Sequence, residues 1–248
     1  MKQKLDFLKV KESGPQPEEF FETFFRNPKN NIYGWGPAKA YSPGIEIFQQ
    51  DTAADNVYFI ERGLVKLSCL ESGGRLVIIC LRRRHWILGA PAAVLEKPYA
   101  YTATAVTPCS LLAISVKNFL SLVENNREFY WQLFRMLSKE IYNHGTKVMA
   151  LGLMPAKERL KKILYEMILE QESTISQRQI HVHLPLLHKE LARLIAITPE
   201  HLSRLLREME QQGIIKRHKG LVAAKRSVCP LDTSRNLKRF GPSPVIPN

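Results

Sequence analysis

Leu187-His188-Lys189-Glu190-Leu191-Ala192-Arg193-Leu194-Ile195, then Ala196-Ile197-Thr198, then Pro199-Glu200-His201-Leu202-Ser203-Arg204-Leu205-Leu206-Arg207-Glu208-Met209-Glu210 is the stretch that decides the reading of this chain. The first segment reads as a short helix, the second as a turn, and the third as another helix with a well-specified start. Thr198 can cap it, Pro199 suits the first helical position, and Glu200 favours the positive end of the helix dipole. Two helices joined by so short a turn form a helix-turn-helix, whose second member enters the DNA major groove. Leu202, Leu205, Leu206 and Met209 fall on one side of that helix. Pro199, Glu200, Ser203 and Arg204 are left on the other, where base edges would lie.

Many helical cores imitate this pattern, so its flanks matter. Upstream, Ile180, Val182 and Leu184 alternate with His181 and His183, a short strand with both histidines on one face. Without a third ligand in view the pair reads as solvated rather than metal-binding. Downstream, Gln212-Gly213 ends the helix, and Ile214 to Val222 reads as a tight hairpin with a basic tip, a wing. Lys189, His201, Lys216, Arg217 and Lys219 are the expected phosphate contacts, which position the protein without reading sequence.

Before this module, Met154-Pro155 marks a hinge. From it a helix runs to about Glu172, with Leu160, Ile163, Leu164, Met167 and Ile168 along one face, and Gln171–Gln179 form a loop. Between Val116 and Leu153 little breaks a helix except Gly145 and Gly152. Tyr130, Phe134, Leu137, Ile141, His144, Val148 and Leu151 recur at alternating four- and three-residue steps, the spacing of a coiled-coil dimer seam. The competing reading packs this face on the chain's own β domain. His144, the polar exception, either sets register or faces a partner helix.

Earlier still the period is that of strands. Val57–Ile60, Leu64–Leu70, Leu76–Leu81, Ala103–Val106 and Ser110–Ile114 are separated by glycine turns, which suggests a compact antiparallel barrel or roll. Glu18–Phe25, with Phe20, Phe21, Phe24 and Phe25, reads as a short amphipathic helix. Arg82-Arg83-Arg84-His85 reads as a solvated basic loop. The fold class is therefore α+β, and five segments are expected: an N-terminal helical segment (1–30), a β-roll (31–115), a dimerisation helix (116–153), a winged helix-turn-helix (154–226) and an irregular tail (227–248).

Composition narrows the function. The 248 residues are 45% hydrophobic and 24% charged, a profile that can fold, and the net charge is +13. From Pro155 onward 17 Lys and Arg face 9 Asp and Glu, against 19 and 14 before it. A basic surplus in so short a segment suits a polyanion, because phosphates release counterions on binding. No apolar run reaches the roughly 18 residues that span a bilayer, and no secretory signal is recognisable, so a cytoplasmic protein that avoids membranes is expected. Cys69, Cys80, Cys109 and Cys229 are scattered, which argues against structural zinc, an iron–sulfur cluster or a disulfide framework. No nucleophile motif, phosphate loop or paired acidic constellation suggests an enzyme.

The order of β-roll, long helix, proline hinge and winged helix resembles the family of the cyclic-AMP receptor protein and the fumarate–nitrate reductase regulator, over roughly residues 30 to 225. The specific parts are Lys189-Glu190-Leu191-Ala192, Thr198 to Leu206, and Gly213-Ile214-Ile215. The resemblance implies a homodimeric transcription regulator with a cyclic-nucleotide-binding-like roll. Its implied partners are double-stranded DNA, at a TGA-like half-site, and RNA polymerase. In that family the residues matching Glu200, Ser203 and Arg204 contact bases; the first recognition position, often Arg or Val, is Pro199 here. Cyclic-AMP binders in the family carry Gly-Glu in the ribose loop and Arg-Ser in the phosphate segment. Here the loop holds Gly89-Ala90 and the segment is Tyr99-Ala100-Tyr101-Thr102, so cyclic AMP is disfavoured. The oxygen-sensing branch needs an N-terminal cysteine cluster, and the first cysteine here is Cys69. No cofactor is expected, and the signal is a small molecule or a redox or gas stimulus other than cyclic AMP. Gly89, Ala90, Tyr99, Tyr101 and Thr102 either line a remodelled pocket or are ordinary strand residues. Two alternatives stand beside this reading: a haem or other ligand sensor of the same architecture, with His85 and His144 as conceivable haem ligands, and a nucleotide-type module acting on a protein partner.

Overall fold

A computed structural model describes residues 16–171, 179–183, 186–218 and 221–225, and the chain divides into two compact units, Met1–Gly145 and Thr146–Asn248. The first unit opens with α1 (Pro17–Arg26), which starts on a proline and places Glu18 and Glu19 in its first turn, as the helix dipole favours. A 3-10 turn, Pro28–Tyr33, follows. Eight strands then form two four-stranded antiparallel sheets: β1 (Lys39–Tyr41), β2 (Glu46–Phe48), β3 (Asn56–Arg62), β4 (Val65–Leu70), β5 (Leu76–Arg82), β6 (Ile87–Leu88), β7 (Thr102–Ala105) and β8 (Cys109–Ser115). One sheet has the order β1-β8-β3-β6 and the other β2-β7-β4-β5. The short helix α2 (Ala90–Val94) lies between β6 and β7.

The inward residues alternate along the strands, as the pleat requires. Val57 and Phe59 are buried on β3 while Tyr58 between them is half-buried, and Ala103 and Ala105 are buried on β7. The turn from β3 to β4 depends on Gly63, at φ +98°, where an added Cβ would lie 2.6 Å from Cys109 Sγ. Cys109 itself is buried, whereas Cys69 and Cys80 are half-buried.

The apolar face of α1 closes the core. Phe21 is fully buried, and the ring of Phe129 sits 5.3 Å from that of Phe21 and 5.1 Å from that of Phe24. Phe25 stacks on Phe59 at 4.4 Å, so the same helix also reaches the sheet.

The helix expected over 116–153 is two helices, α3 (Val116–Asn125) and α4 (Arg127–Leu153). Asn126 breaks it with an extended backbone, φ −124° and ψ 96°. Its side-chain oxygen accepts the Phe129 N–H at 2.9 Å, capping α4, and asparagine is among the residues best suited to that position. Ser115 caps α3 in the same manner, accepting from Asn118 N–H.

The basic run 82–85 is a solvated loop only in its middle. Arg82 ends β5, lays its guanidinium 4.5 Å above the Trp86 ring and pairs with Glu140 of α4. His85 stacks on Phe59 and lies 3.3 Å from Glu22 of α1. The helices bring carboxylates over these positions and Trp86 and Phe59 supply the rings, so two of the four side chains are drawn partly out of water; Arg83 and Arg84 are exposed.

The second unit contains α5 (Ala156–Gln171), β9 (Gln179–His183), α6 (His188–Leu194), α7 (Pro199–Gln211), β10 (Ile215–His218) and β11 (Leu221–Lys225). Its three strands form one antiparallel sheet in the order β10-β11-β9, with Arg217 opposite Val222 and Val222 opposite Val182. The hairpin and the isolated strand read in the sequence are thus parts of one sheet, with β11 between them.

Candidate nucleic-acid interface

Helices α5, α6 and α7 share a core of Leu160, Leu164, Met167, Leu191, Leu194, Ile195, Leu202, Leu205, Leu206 and Met209, all buried. Because the apolar stripe of α7 is consumed there, its opposite side is presented to solvent. The turn between α6 and α7 passes through Ala196 at φ +54°, and Ile197 N–H returns to Ala192 O at 3.0 Å. Thr198 then caps α7, its hydroxyl accepting from His201 N–H at 3.2 Å, with Pro199 at the first helical position. At the start of α6, the Glu190 carboxylate accepts the Leu187 N–H at 3.0 Å.

Pro199, Glu200, Ser203, Arg204 and Lys189 are exposed, and His201 is half-buried. Glu200's own backbone N–H and the Thr198 hydroxyl hold its carboxyl below the usual carboxylate range. It is therefore an acceptor at neutral pH. Ser203 Oγ lies 3.4 Å from Nε2 of His188, the first residue of α6. The backbone of Lys216 and Arg217 lies in β10. Lys219 and the tail 227–248 fall outside the described residues, as do the side chains of Lys216 and Arg217.

Two cations on α5 brace the module. Arg159 donates from Nε to Ile195 O at 3.0 Å and from a terminal nitrogen to Met154 O at 2.7 Å. Lys157 reaches Glu208 and Gln212 at the far end of α7, at 2.6 and 2.7 Å. Sequence reasoning missed both, as it missed His188, because each acts on a partner remote along the chain.

In the roll, Gly89 precedes α2 at φ +82°, and an added Cβ would meet the Tyr99 ring at 3.0 Å. Ala90 is fully buried. Tyr99 is buried too: its ring stacks on Phe48 at 3.9 Å, and its hydroxyl donates to Asn56 O at 2.5 Å. Burial pushes the phenol up to about 12. Thr102 Oγ1 accepts the Gln50 N–H at 3.0 Å, while Tyr101 points to solvent. The structure thus brings Gly89 and Tyr99 into contact.

The seam residues lie on α4, whose opposite face buries Phe129, Gln132, Leu133 and Met136. Tyr130 and Phe134 are each 50% exposed, Ile141 74%, Val148 70% and Leu151 42%. Leu137 packs partly against the roll. His144 lies 3.4 Å from Glu140 and 3.5 Å from Arg82.

Comparison with known proteins bears on both units. Residues 38–126 match the cyclic nucleotide-binding domain, and residues 158–226 match the Crp-like helix-turn-helix domain. The chain belongs to the CRP/FNR family of transcription regulators. The nitrogen fixation regulation protein FixK of Azorhizobium caulinodans is 25% identical to this regulator over 192 residues, 76% of this chain and 75% of that protein. The global nitrogen regulator of Nostoc is 24% identical over 208 residues, 80% of this chain and 92% of that one. Among solved structures, FixK2 from Bradyrhizobium japonicum superposes with a TM-score of 0.65 at 21% identity, covering 76% of this chain and 91% of that chain, a likeness of fold. The regulator accordingly carries a helix-turn-helix DNA-binding domain. Among the described residues no helix is long and apolar enough to cross a membrane.

The Tyr99 phenol gives the roll of this regulator a pH signature. An acid whose pKa is raised on folding stabilises the fold fully below its unfolded pKa and loses that contribution as pH climbs through the folded value. For Tyr99 the window runs from about 10 to about 12. Stability is expected to fall across it, and in Tyr99→Phe that share of the fall should disappear. Denaturation midpoints of the two proteins across this range provide the check; superimposable profiles would contradict the assignment.

Proposed function

We propose that this regulator acts as a homodimer on an inverted-repeat operator, reading each half-site with α7, in response to a signal other than cyclic AMP. The observation that carries the reading is the outward side of α7: Glu200, Ser203 and Arg204 stand exposed on a helix whose start is capped and whose other side is buried. Glu200, ionised, suits the cytosine N4 amino group, and Arg204 suits guanine O6 and N7. Ser203 adds a contact to a neighbouring base. Lys189, His201, Lys216, Arg217 and Lys219 supply phosphate contacts, and Pro199 replaces the first reading side chain with a ring that has no hydrogen-bonding group. By family resemblance the half-site holds a TGA-like core, RNA polymerase is the further partner, and the place of action is the cytoplasm.

Dimerisation through α4 is supported by the exposure of Tyr130, Phe134, Ile141, Val148 and Leu151 on one helical face. Each such side chain stabilises an association by about 1.5–3 kcal/mol when fully covered. A two-fold symmetric pair suits an inverted repeat, with one copy of α7 for each half-site.

The argument against cyclic AMP rests on chemistry at the roll. Ala90 offers no carboxylate for a ribose hydroxyl, and Tyr99 to Thr102 contain no cation for a phosphate. The Tyr99 ring also covers Gly89, and its hydroxyl is already engaged by Asn56. Calorimetric titration with cyclic AMP is expected to show no saturable heat at micromolar nucleotide. A micromolar dissociation constant accompanied by tighter DNA binding would overturn this part.

Two variants test the rest. Replacing Ile141 and Val148 with aspartate puts charge into the seam, at a cost of several kcal/mol per ion. Sedimentation should then report monomers with weakened DNA binding, and a persistent dimer would refute the seam. Arg204→Ala should cost roughly 1–3 kcal/mol per half-site and relax preference at one base pair. Competition against single-base operator changes measures this. A uniform loss with every base preference intact would make Arg204 a phosphate clamp instead.

A further inference from the structure

Within the reading unit, one contact joins the recognition helix to the helix before it through polar side chains alone. Ser203 Oγ on α7 and His188 Nε2 at the start of α6 are 3.4 Å apart, and both residues are exposed on the outward side. The two groups are unlike in what they can exchange. A serine hydroxyl holds one donor and two acceptor lone pairs, and its hydrogen rotates to suit its neighbour. A neutral imidazole whose proton is on Nδ1 can only accept at Nε2, whereas an imidazolium can only donate there.

We propose that His188 sets the hydrogen-bonding polarity of Ser203, and thereby which base Ser203 reads. This inference rests on the docking of α7 proposed above. With His188 neutral and its proton on Nδ1, Ser203 gives its hydrogen to Nε2 and turns lone pairs toward the groove. It then suits the donor edges, adenine N6 and cytosine N4. With His188 protonated, Nε2–H donates to Oγ and frees the serine hydrogen. The hydroxyl then suits the acceptor edges, guanine O6 and N7 or thymine O4. No atom of the backbone has to move; one proton on one ring inverts the contact.

Imidazole is the side chain whose charge ordinarily changes between pH 5 and 8. Across from it on α7 stands Glu200, ionised, whose charge couples to the imidazole. Beside it on α6, Lys189 is exposed, and Glu190 is turned back onto the Leu187 N–H. The groups set around the ring are thus one carboxylate and one ammonium, and the ring itself is open to solvent. His188 touches bases only through Ser203, so it is a positioning residue of the DNA site.

The test uses the full-length protein and duplexes that it selects from random DNA, each then changed singly at every base pair. Relative affinities are measured at pH 6 and pH 8, at fixed salt. At the pair facing Ser203, the ratio of adenine and cytosine to guanine and thymine should fall about 2- to 10-fold on acidification, the worth of one hydrogen bond. The preference at the Arg204 pair should hold. His188→Ala and His188→Asn should each lose the pH shift at that pair, and Ser203→Ala should lose preference there at both pH values. His201→Gln, which alters the other histidine of the interface, should leave the shift in place. A wild-type preference that does not change with pH, or a shift that survives in both His188 variants, overturns the proposal. Failure to select any sequence at either pH would instead refute the DNA-reading function on which it depends.

Discussion

A long helix that is apolar on two faces needs cover on both, and among the described residues of this regulator only one face is covered. Phe129, Leu133 and Met136 of α4 sink into the roll and the phenylalanines of α1, while Tyr130, Phe134, Ile141 and Val148 remain in water. The two demands are set by spacing within the same helix, so no local rearrangement removes the exposed face without also pulling apart the buried one. The proposed pairing of two chains follows in this sense from the first unit's core. The Phe129 cluster orients α4, and that orientation decides which side chains are left uncovered.

The roll and the reading unit solve their internal problems by different means. In the roll, ionisable side chains are drawn partly out of water in pairs: Arg82 with Glu140 and Trp86, His85 with Glu22 and Phe59. Such pairs fix geometry more than they add stability, since desolvation offsets much of their attraction. In the reading unit, α7 is placed by an apolar stripe and braced by half-buried cations. Arg159 ties the turn at Ile195 to Met154, and Lys157 ties the end of α7 to α5. The brace leaves the outward side of α7 free of structural duty.

Much of this architecture is legible in the residues because it rests on short-range rules. The cap at Thr198, the stripe from Leu202 to Met209 and the alternation on β3 follow from neighbours a few positions away. Where the reading failed, the deciding partner was distant. The run Arg82 to His85 looks solvated until α1 and α4 bring Glu22 and Glu140 over it. The break at Asn126 was missed for another reason: asparagine is tolerated inside helices, and only the capping geometry at Phe129 shows that it starts one. Lys39–Tyr41, Glu46–Phe48 and Ile87–Leu88 went unread because strands of two or three residues carry too few alternations to register. At the interface, Glu200, Ser203 and Arg204 could be named from periodicity alone, whereas His188 could not, since nothing in sequence spacing predicts a contact across a turn.

The first residues of α7 have one more consequence. Pro199 has no N–H, the His201 N–H is taken by the Thr198 hydroxyl, and the Leu202 N–H by the Thr198 carbonyl. Most of the amides that make a helix start a ready seat for an anion are thus already spent on the chain itself. At this end of α7, the proposed grip on a DNA strand falls mainly to side chains. Substitution can add or delete side chains one at a time, so the strength of that grip can drift without the helix ever being redrawn.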